Sequence, residues 1–313
     1  MSGLAYLFPG QGSQKVGMGK DFAERSSWAK DVFARADEVL GFKISEICFA
    51  GPEEKLQLTQ NTQPALLTVS HIAFGLLGKE PSLAAGHSLG EYSALVAAGS
   101  LEFEDALRLV HKRGQYMQEA VPVGVGAMAA VLGSTYEDVK RAIGQVGKGL
   151  VEIANWNSDD QVVIAGHKEA VEEALTLVKA ARAVLLPVSA PFHTSLMKSA
   201  EERLSSDLDR VEFRNLRFPV ITNADARVIR RGEEARDALK RQVSRPVLWH
   251  SSMMLLQKEN VHTVVEIGPG RVLSGLMKRL GRRWPGPLTL LNIEDGDSLE
   301  KCRKTLSGAA GKD

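Results

Sequence analysis

The stretch GHSLGEYSAL, residues 86 to 95, holds Ser88 between Gly86 and Gly90. In a G-x-S-x-G pentapeptide the glycines act sterically. A serine on a strained strand-to-helix turn needs neighbours without side chains, so that the chain bends sharply and presents Oγ at the edge of a sheet. Such a serine is a nucleophile; the competing reading is a small residue in a Gly-lined turn. A helix beginning at Leu89 would aim backbone N–H groups and positive partial charge at the place where an oxyanion develops in acyl transfer.

A serine nucleophile needs a base, and the chain has seven histidines. His71 and His111 sit in helical patterns, as packed or surface imidazoles. His87 directly precedes the serine and is expected to face away from Oγ, because adjacent strand residues point to opposite sides. His193 differs. In VLLPVSAPFHTSLM it follows an apolar strand, in a Pro-containing loop before a helix capped by Thr194 or Ser195, where side chains project over a sheet. Its two readings are general base and structural or capping residue. No acid stands out as a third member, since Asp159 and Asp160 fall in a turn. The order also departs from Ser, acid, His, because much of the chain follows His193. A neutral acceptor such as a main-chain carbonyl could orient the imidazole instead. A further anomaly is Arg113, which shares a helix face with Leu107, Val110 and Met117 at spacings of three and four.

The elements that would position these residues follow from periodicity. The apolar run LAYLF reads as a first strand leading into the Gly-rich turn PGQGSQKVGMG. Helical patterns then fill much of the region from Asp21 to Leu77, interrupted around AGPEEKL. SLAAGHS, a helix from Leu89 to about Ala98 and another from Phe103 to about Ala120 come next. At VPVGVGAMAAVLG the texture changes to short elements. AMAAVL, TYEDVKRAIGQV, GLVEIANW, QVVIAG, KEAVEEALTLVKAA and AVLLPV read in the order βαββαβ, a ferredoxin-like insert. Longer helices return after SAPFHTSLM, and FPVITN and TVVEIG suit buried parallel strands. The tail SGAAGKD is expected to be disordered.

Composition narrows the function. The 313 residues, 44% hydrophobic, suffice for a large buried core, and 39 Lys plus Arg against 38 Asp plus Glu give no general attraction for nucleic acid or membrane surfaces. Cys48 and Cys302 are far apart and in no CxxC spacing, which argues against a disulfide framework and a zinc site. A reducing cytoplasm fits best. No segment reads as a signal peptide or a membrane span. PGQGSQ lacks the Lys and Ser/Thr of a phosphate-binding P-loop.

PGQGSQ, GHSLGEYSAL, RGQYMQ, NWNSDDQVVIAG, SAPFHTSLM, SRPVLW and EIGPG occur in this order, and with them the chain closely resembles the malonyl-CoA:acyl carrier protein transacylase family, from about Leu4 to Asn292. The resemblance implies an α/β-hydrolase-like large domain (residues 1–123 and 192–313) interrupted by a ferredoxin-like subdomain (124–191), with the active site between them. It implies Ser88 as acyl-carrying nucleophile, His193 as general base, and backbone N–H groups of Gln11 and Leu89 as the oxyanion hole. Arg113 would bind the malonyl carboxylate, for which a planar guanidinium is suited, with a structural salt bridge as the alternative. Phe192, Met117 and Asn155 would complete the substrate pocket, and Asn155 and Asn157 would fix the insert against the cleft. The segment QVSRPVLW would supply the main-chain carbonyl that orients the histidine, at Leu248.

The implied reaction is ping-pong transfer from malonyl-CoA to the pantetheine thiol of acyl carrier protein, in fatty acid or polyketide synthesis, with no metal or bound cofactor and with a monomer as default. The carrier is acidic, so a basic patch should guide it: Lys278, Arg279, Arg282 and Arg283, or Arg227, Arg230 and Arg231. A hydrolase on the same scaffold and a non-catalytic carrier-binding module are the rival readings.

Overall fold

The computed structural model describes residues 3–188 and 190–308. In chain order its strands are β1 (Gly3–Phe8), β2 (Leu83–Gly86), β3 (Gly126–Leu132), β4 (Val151–Ser158), β5 (Gln161–His167), β6 (Arg182–Leu185), β7 (Val220–Ile221), β8 (Val228–Ile229), β9 (Val261–Ile267) and β10 (Thr289–Ile293). They form two sheets. A six-stranded sheet has the order β10-β9-β1-β2-β7-β8, parallel except where β8 pairs antiparallel with β7. A four-stranded antiparallel sheet has the order β4-β5-β3-β6.

The large sheet is covered on both faces, as its apolar strands require. Along β1 the pleat sends Leu4, Tyr6 and Phe8 into one core and Ala5 and Leu7 into the other. The helices between Lys20 and Leu77 pack on the first side, and the last of them, Thr59–Leu77, is buried along most of its length. Register then does functional work: Phe8 pairs with Gly86 at the ends of the neighbouring parallel strands β1 and β2. The loops after them, PGQGSQ and HSLG, leave the sheet side by side at its carboxyl edge, where open α/β sheets place their ligands.

The small sheet, strand for strand β3, β4, β5 and β6 with the helices Tyr136–Ile143 and Lys168–Leu177 between, has the ferredoxin-like βαββαβ order. Val131, Ile153, Ile164 and Val171 form its own core, while Met128, Ala154, Val163 and Ala165 join the main core. The edge strand β4 is extended by a short parallel bridge. Trp156 N donates to Val247 O at 2.9 Å and Val247 N to Ala154 O at 2.9 Å, so SRPVLW docks the insert onto the large unit. FPVITN contributes only Val220 and Ile221 to the large sheet. The last helix, Gly296–Gly308, takes in the first two residues of the tail expected to be disordered; residues 309–313 lie outside those described. Among the described residues no helix is long and apolar enough to cross a membrane.

Candidate active site

Ser88 sits at the junction of β2 and the helix Leu89–Ala97 with φ 52°, a conformation that L side chains rarely adopt. The two glycines make this turn possible. A Cβ on Gly86 would lie 1.9 Å from the carbonyl carbon of Gly90, and one on Gly90 would lie 2.0 Å from Phe8 O. The strained turn is braced by Asn223, whose Oδ1 accepts from Ser88 N at 2.6 Å and whose Nδ2 donates to Gly86 O at 2.7 Å. The PGQGSQ loop presses against the same turn, since a Cβ on Gly10 would meet His87 O at 2.3 Å.

His193 also has positive φ, 61°, and its Nε2 lies 2.7 Å from Ser88 Oγ. Its Nδ1 lies 2.9 Å from the main-chain O of Gln242. A carbonyl only accepts, so Nδ1 carries the proton and Nε2 is left free to take one from the serine. Burial, and then the positive charge of Arg113, push the imidazole down to about 3, which keeps it neutral and able to accept.

The orienting carbonyl is therefore that of Gln242, at the start of the QVSRPVLW segment that the resemblance implied, and not that of Leu248 near its other end. The reason lies in helix ends. Gln242 closes the helix Gly232–Gln242, so its carbonyl lacks an intrahelical donor, whereas Leu248 precedes the helix Trp249–Lys258 and its carbonyl accepts from Ser252 N and Oγ. The cap expected at Thr194 or Ser195 also differs. Neither side chain caps the turn that follows: Thr194 Oγ1 donates back to Pro191 O at 2.7 Å, and Ser195 is held by Glu152.

Arg113, on the helix Phe103–Glu119, is 1% exposed. Its Nη1 donates to Gln63 Oε1 at 2.7 Å, and its Nη2 to Gln242 Oε1 at 2.9 Å and to Ser88 Oγ at 3.1 Å. Nε meets no acceptor, and no carboxylate lies within ion-pair distance among the described residues. The salt-bridge alternative is thus absent there, and burial works against the charge. A desolvated guanidinium held by neutral oxygens favours an anionic group that can approach it.

These residues open into a cleft of about 280 Å³ between the two sheets. Gln11, Leu89, Met117, Asn155 and Phe192 line it together with Ser88, Arg113 and His193. His87 lines it too, but its Nε2 lies 2.9 Å from Asn157 Oδ1 on β4, so it ties the insert to the serine turn. His71 stacks on Phe103, and His111 Nδ1 reaches Gln60 O, as packed imidazoles should.

A family described as acyl transferase domain matches residues 5–293. The malonyl CoA-acyl carrier protein transacylase of Bacillus subtilis is 46% identical over 314 residues, covering 98% of each chain. The chain belongs to the acyl transferase family. The solved structure of the Coxiella burnetii malonyl CoA-acyl carrier protein transacylase superposes with a TM-score of 0.94 at 38% identity, over 97% of this chain and 98% of that one. A malonyl-transacylase solved in complex with its type II PKS acyl-carrier protein gives 0.93 at 43% identity, over 97% and 100%. For this acyl transferase, the residues that sequence reasoning missed are Gln63, Asn223, the side chain of Gln242, and Glu91. The last alone left a signal, as a charge inside the apolar helix LGEYSALVA.

Proposed function

We propose that the protein transfers a malonyl group from malonyl-CoA to the pantetheine thiol of an acyl carrier protein, through a malonyl ester on Ser88. The observation that carries this reading is a buried guanidinium 3.1 Å from the hydroxyl that His193 addresses. One methylene separates the attacked thioester carbonyl of malonyl-CoA from its carboxylate, so the acyl group can meet both at once. Ser88 Oγ attacks the carbonyl while its proton passes to His193 Nε2. The oxyanion is met by the N–H groups of Gln11 and Leu89, each worth roughly 10²–10³ in rate. The C–S bond breaks, coenzyme A leaves as its thiol with the proton from Nε2, and the ester remains. The carrier thiol then gives its proton to Nε2, its sulfur attacks the ester, and Ser88 recovers its hydrogen.

Arg113 selects the acyl group, because a neutral acetyl group would leave it buried without an anion. Phe192, Met117 and Asn155 shape the pocket around it. The catalytic domain comprises residues 1–123 and 192–313, and the subdomain 124–191 forms the other wall. For docking an acidic carrier, the patch Lys278, Arg279, Arg282 and Arg283 is favoured over Arg227, Arg230 and Arg231. Arg227 and Arg231 are paired with Glu233 or Glu234, leaving one of three unpaired, whereas Lys278, Arg279 and Arg282 have no ion pair among the described residues and only Arg283 is paired, with Asp159. The enzyme acts as a cytoplasmic monomer on a carrier of fatty acid synthesis, with a polyketide carrier as the alternative. The test is to mix the protein with labelled malonyl-CoA and then add carrier protein. A stable label on Ser88 that moves to the carrier thiol is expected; prompt free malonate, or no label, would overturn the reading.

A further inference from the structure

Glu91 lies three residues after the nucleophile in the helix Leu89–Ala97 and is fully buried, yet the steps above do not use it. Its Oε2 accepts from Gln242 Nε2 at 2.7 Å and from Asn223 N at 3.0 Å, while Oε1 meets no donor among the described residues. The two residues it holds are those that hold the site. Gln242 Nε2 donates to Ser88 O at 2.9 Å, and Gln242 Oε1 accepts from Arg113 at 2.9 Å. Asn223 braces the serine turn on both sides.

A primary amide has one donor end and one acceptor end. By engaging the donor end, Glu91 leaves the oxygen to face Arg113. Were the amide reversed, its NH₂ would confront the guanidinium, donor against donor, in a buried site where an unmet polar group is costly. We propose that Glu91 is a positioning residue for malonyl transfer: the reach of its carboxylate oxygen to Gln242 fixes the direction of that amide and so holds Arg113 beside Ser88. The proposal rests on the reading of Arg113 as the partner of the malonyl carboxylate. Its effect falls more on malonyl than on acetyl, because His193 is oriented by the main chain of Gln242, which an amide reversal leaves in place, while the bond from Gln242 Nε2 to Ser88 O is lost for both acyl groups alike. Burial pushes the Glu91 carboxyl up to about 7, so the site holds its charge weakly and uses the oxygen's reach.

Two variants separate reach from charge. Glu91→Gln keeps an oxygen at the same reach and removes the charge, whereas Glu91→Asp keeps the charge and draws the oxygen back by one carbon–carbon bond, roughly 1.5 Å. Acylation of Ser88 by malonyl-CoA and by acetyl-CoA is measured for each, beside its melting temperature. Glu91→Gln should keep the malonyl-to-acetyl ratio within about threefold of the parent, and Glu91→Asp should lower it about tenfold or more, acetyl transfer falling far less than malonyl transfer. A ratio kept by Glu91→Asp, a ratio lost in Glu91→Gln, or both acyl rates falling in step would overturn the proposal. Gln242→Met, which removes the amide but keeps the main-chain oxygen for His193, should lower the ratio in the same direction. An unmoved ratio there overturns the relay however Glu91→Asp folds. The parent protein distinguishes the two failures: without malonyl on its Ser88 the functional reading falls, and with it but an unmoved ratio in Glu91→Asp only the role of Glu91 falls.

Discussion

Replacing Arg113 by alanine tests the assignment on which acyl selectivity depends. The guanidinium is nearly inaccessible and, among the described residues, makes its bonds to the neutral oxygens of Gln63, Gln242 and Ser88, so an arriving carboxylate would bring an opposite charge into direct contact. A hydrogen bond to a charged group contributes about 1.5–3 kcal/mol, and two of them, less the cost of stripping water from the carboxylate, leave about 3–4 kcal/mol. That corresponds to a loss of roughly 10²–10³ in kcat/KM for malonyl-CoA. Acetyl-CoA carries no group for Arg113 and gains from removal of a desolvated cation, so its kcat/KM should hold or rise.

Truncation also leaves Gln63 Oε1 and Gln242 Oε1 without their donor, a disturbance common to both substrates. The diagnostic quantity is therefore the ratio. Ser88 acylation is followed by quenched flow and intact-protein mass for both acyl-CoAs, and the malonyl-to-acetyl ratio should fall about 100-fold or more. Arg113→Lys should fall between, because a point-charge ammonium cannot serve Gln63, Gln242 and a bidentate carboxylate together. Equal losses for the two acyl groups would refute the reasoning, since they would mean that Arg113 supports the serine or the scaffold and does not read the acyl chain.

Two further predictions concern charge. Reversing Lys278, Arg279 and Arg282 to glutamate should raise KM for the carrier protein and flatten its salt dependence while leaving acylation by malonyl-CoA unchanged; an unchanged carrier KM would remove this face from docking. Burial pushes His71 down to about 4 and, with Arg113, His193 to about 3, and it lowers His87 as well. Between about pH 6.5 and these values the unfolded chain binds protons that the folded chain does not, so stability is full above that window and is lost as pH falls through it. Glu91, raised to about 7, has the opposite sign, stabilising below the unfolded carboxyl range and losing that contribution as pH rises through 7. Burial raises the carboxyl of Glu266 as well. The three histidines outnumber Glu91 and Glu266, so Tm should fall from pH 6.5 to 4, and His71→Phe should recover roughly 3 kcal/mol of the loss at pH 4. A flat Tm over that range, or an unaltered slope in His71→Phe, would contradict the assignment.

The parts of this site that were legible in the sequence are those with a local signature. Glycines at 86 and 90 matter because backbone atoms lie where their side chains would be, and that constraint is written in neighbouring positions. The βαββαβ order was legible for a similar reason, since periodicity is local and each strand of the small sheet is short and strongly patterned. FPVITN misled on extent. Its composition suits a strand, yet only two of its residues pair, and Asn223 at its end leaves the sheet to brace the serine turn. The histidine's orienting carbonyl was misplaced by six positions, at Leu248, because every residue carries a carbonyl and side-chain identity says nothing about which is free. What decides is where a helix ends, and helix ends are poorly marked where no glycine or proline stands at the last turn.

Arg113 and Glu91 show where the boundary lies. Both are charges set among apolar neighbours on a helix, and the same periodicity that made Arg113 an anomaly makes Glu91 one within LGEYSALVA. An arginine that cannot reach solvent must meet an acceptor, and one beside a nucleophile points to an anionic substrate. A buried glutamate is less explicit, because protonation lets it persist without a counter-charge, and its partners here are an amide from position 242 and a backbone N–H from position 223. Those contacts span more than a hundred residues and involve polar side chains that would be ordinary on a surface. Their meaning exists only in the fold, where one neutral amide touches the acid, the guanidinium and the serine main chain at once. A site read from sequence therefore yields the groups that react before it yields the groups that aim them, because reactivity resides in residue type and aim resides in distance.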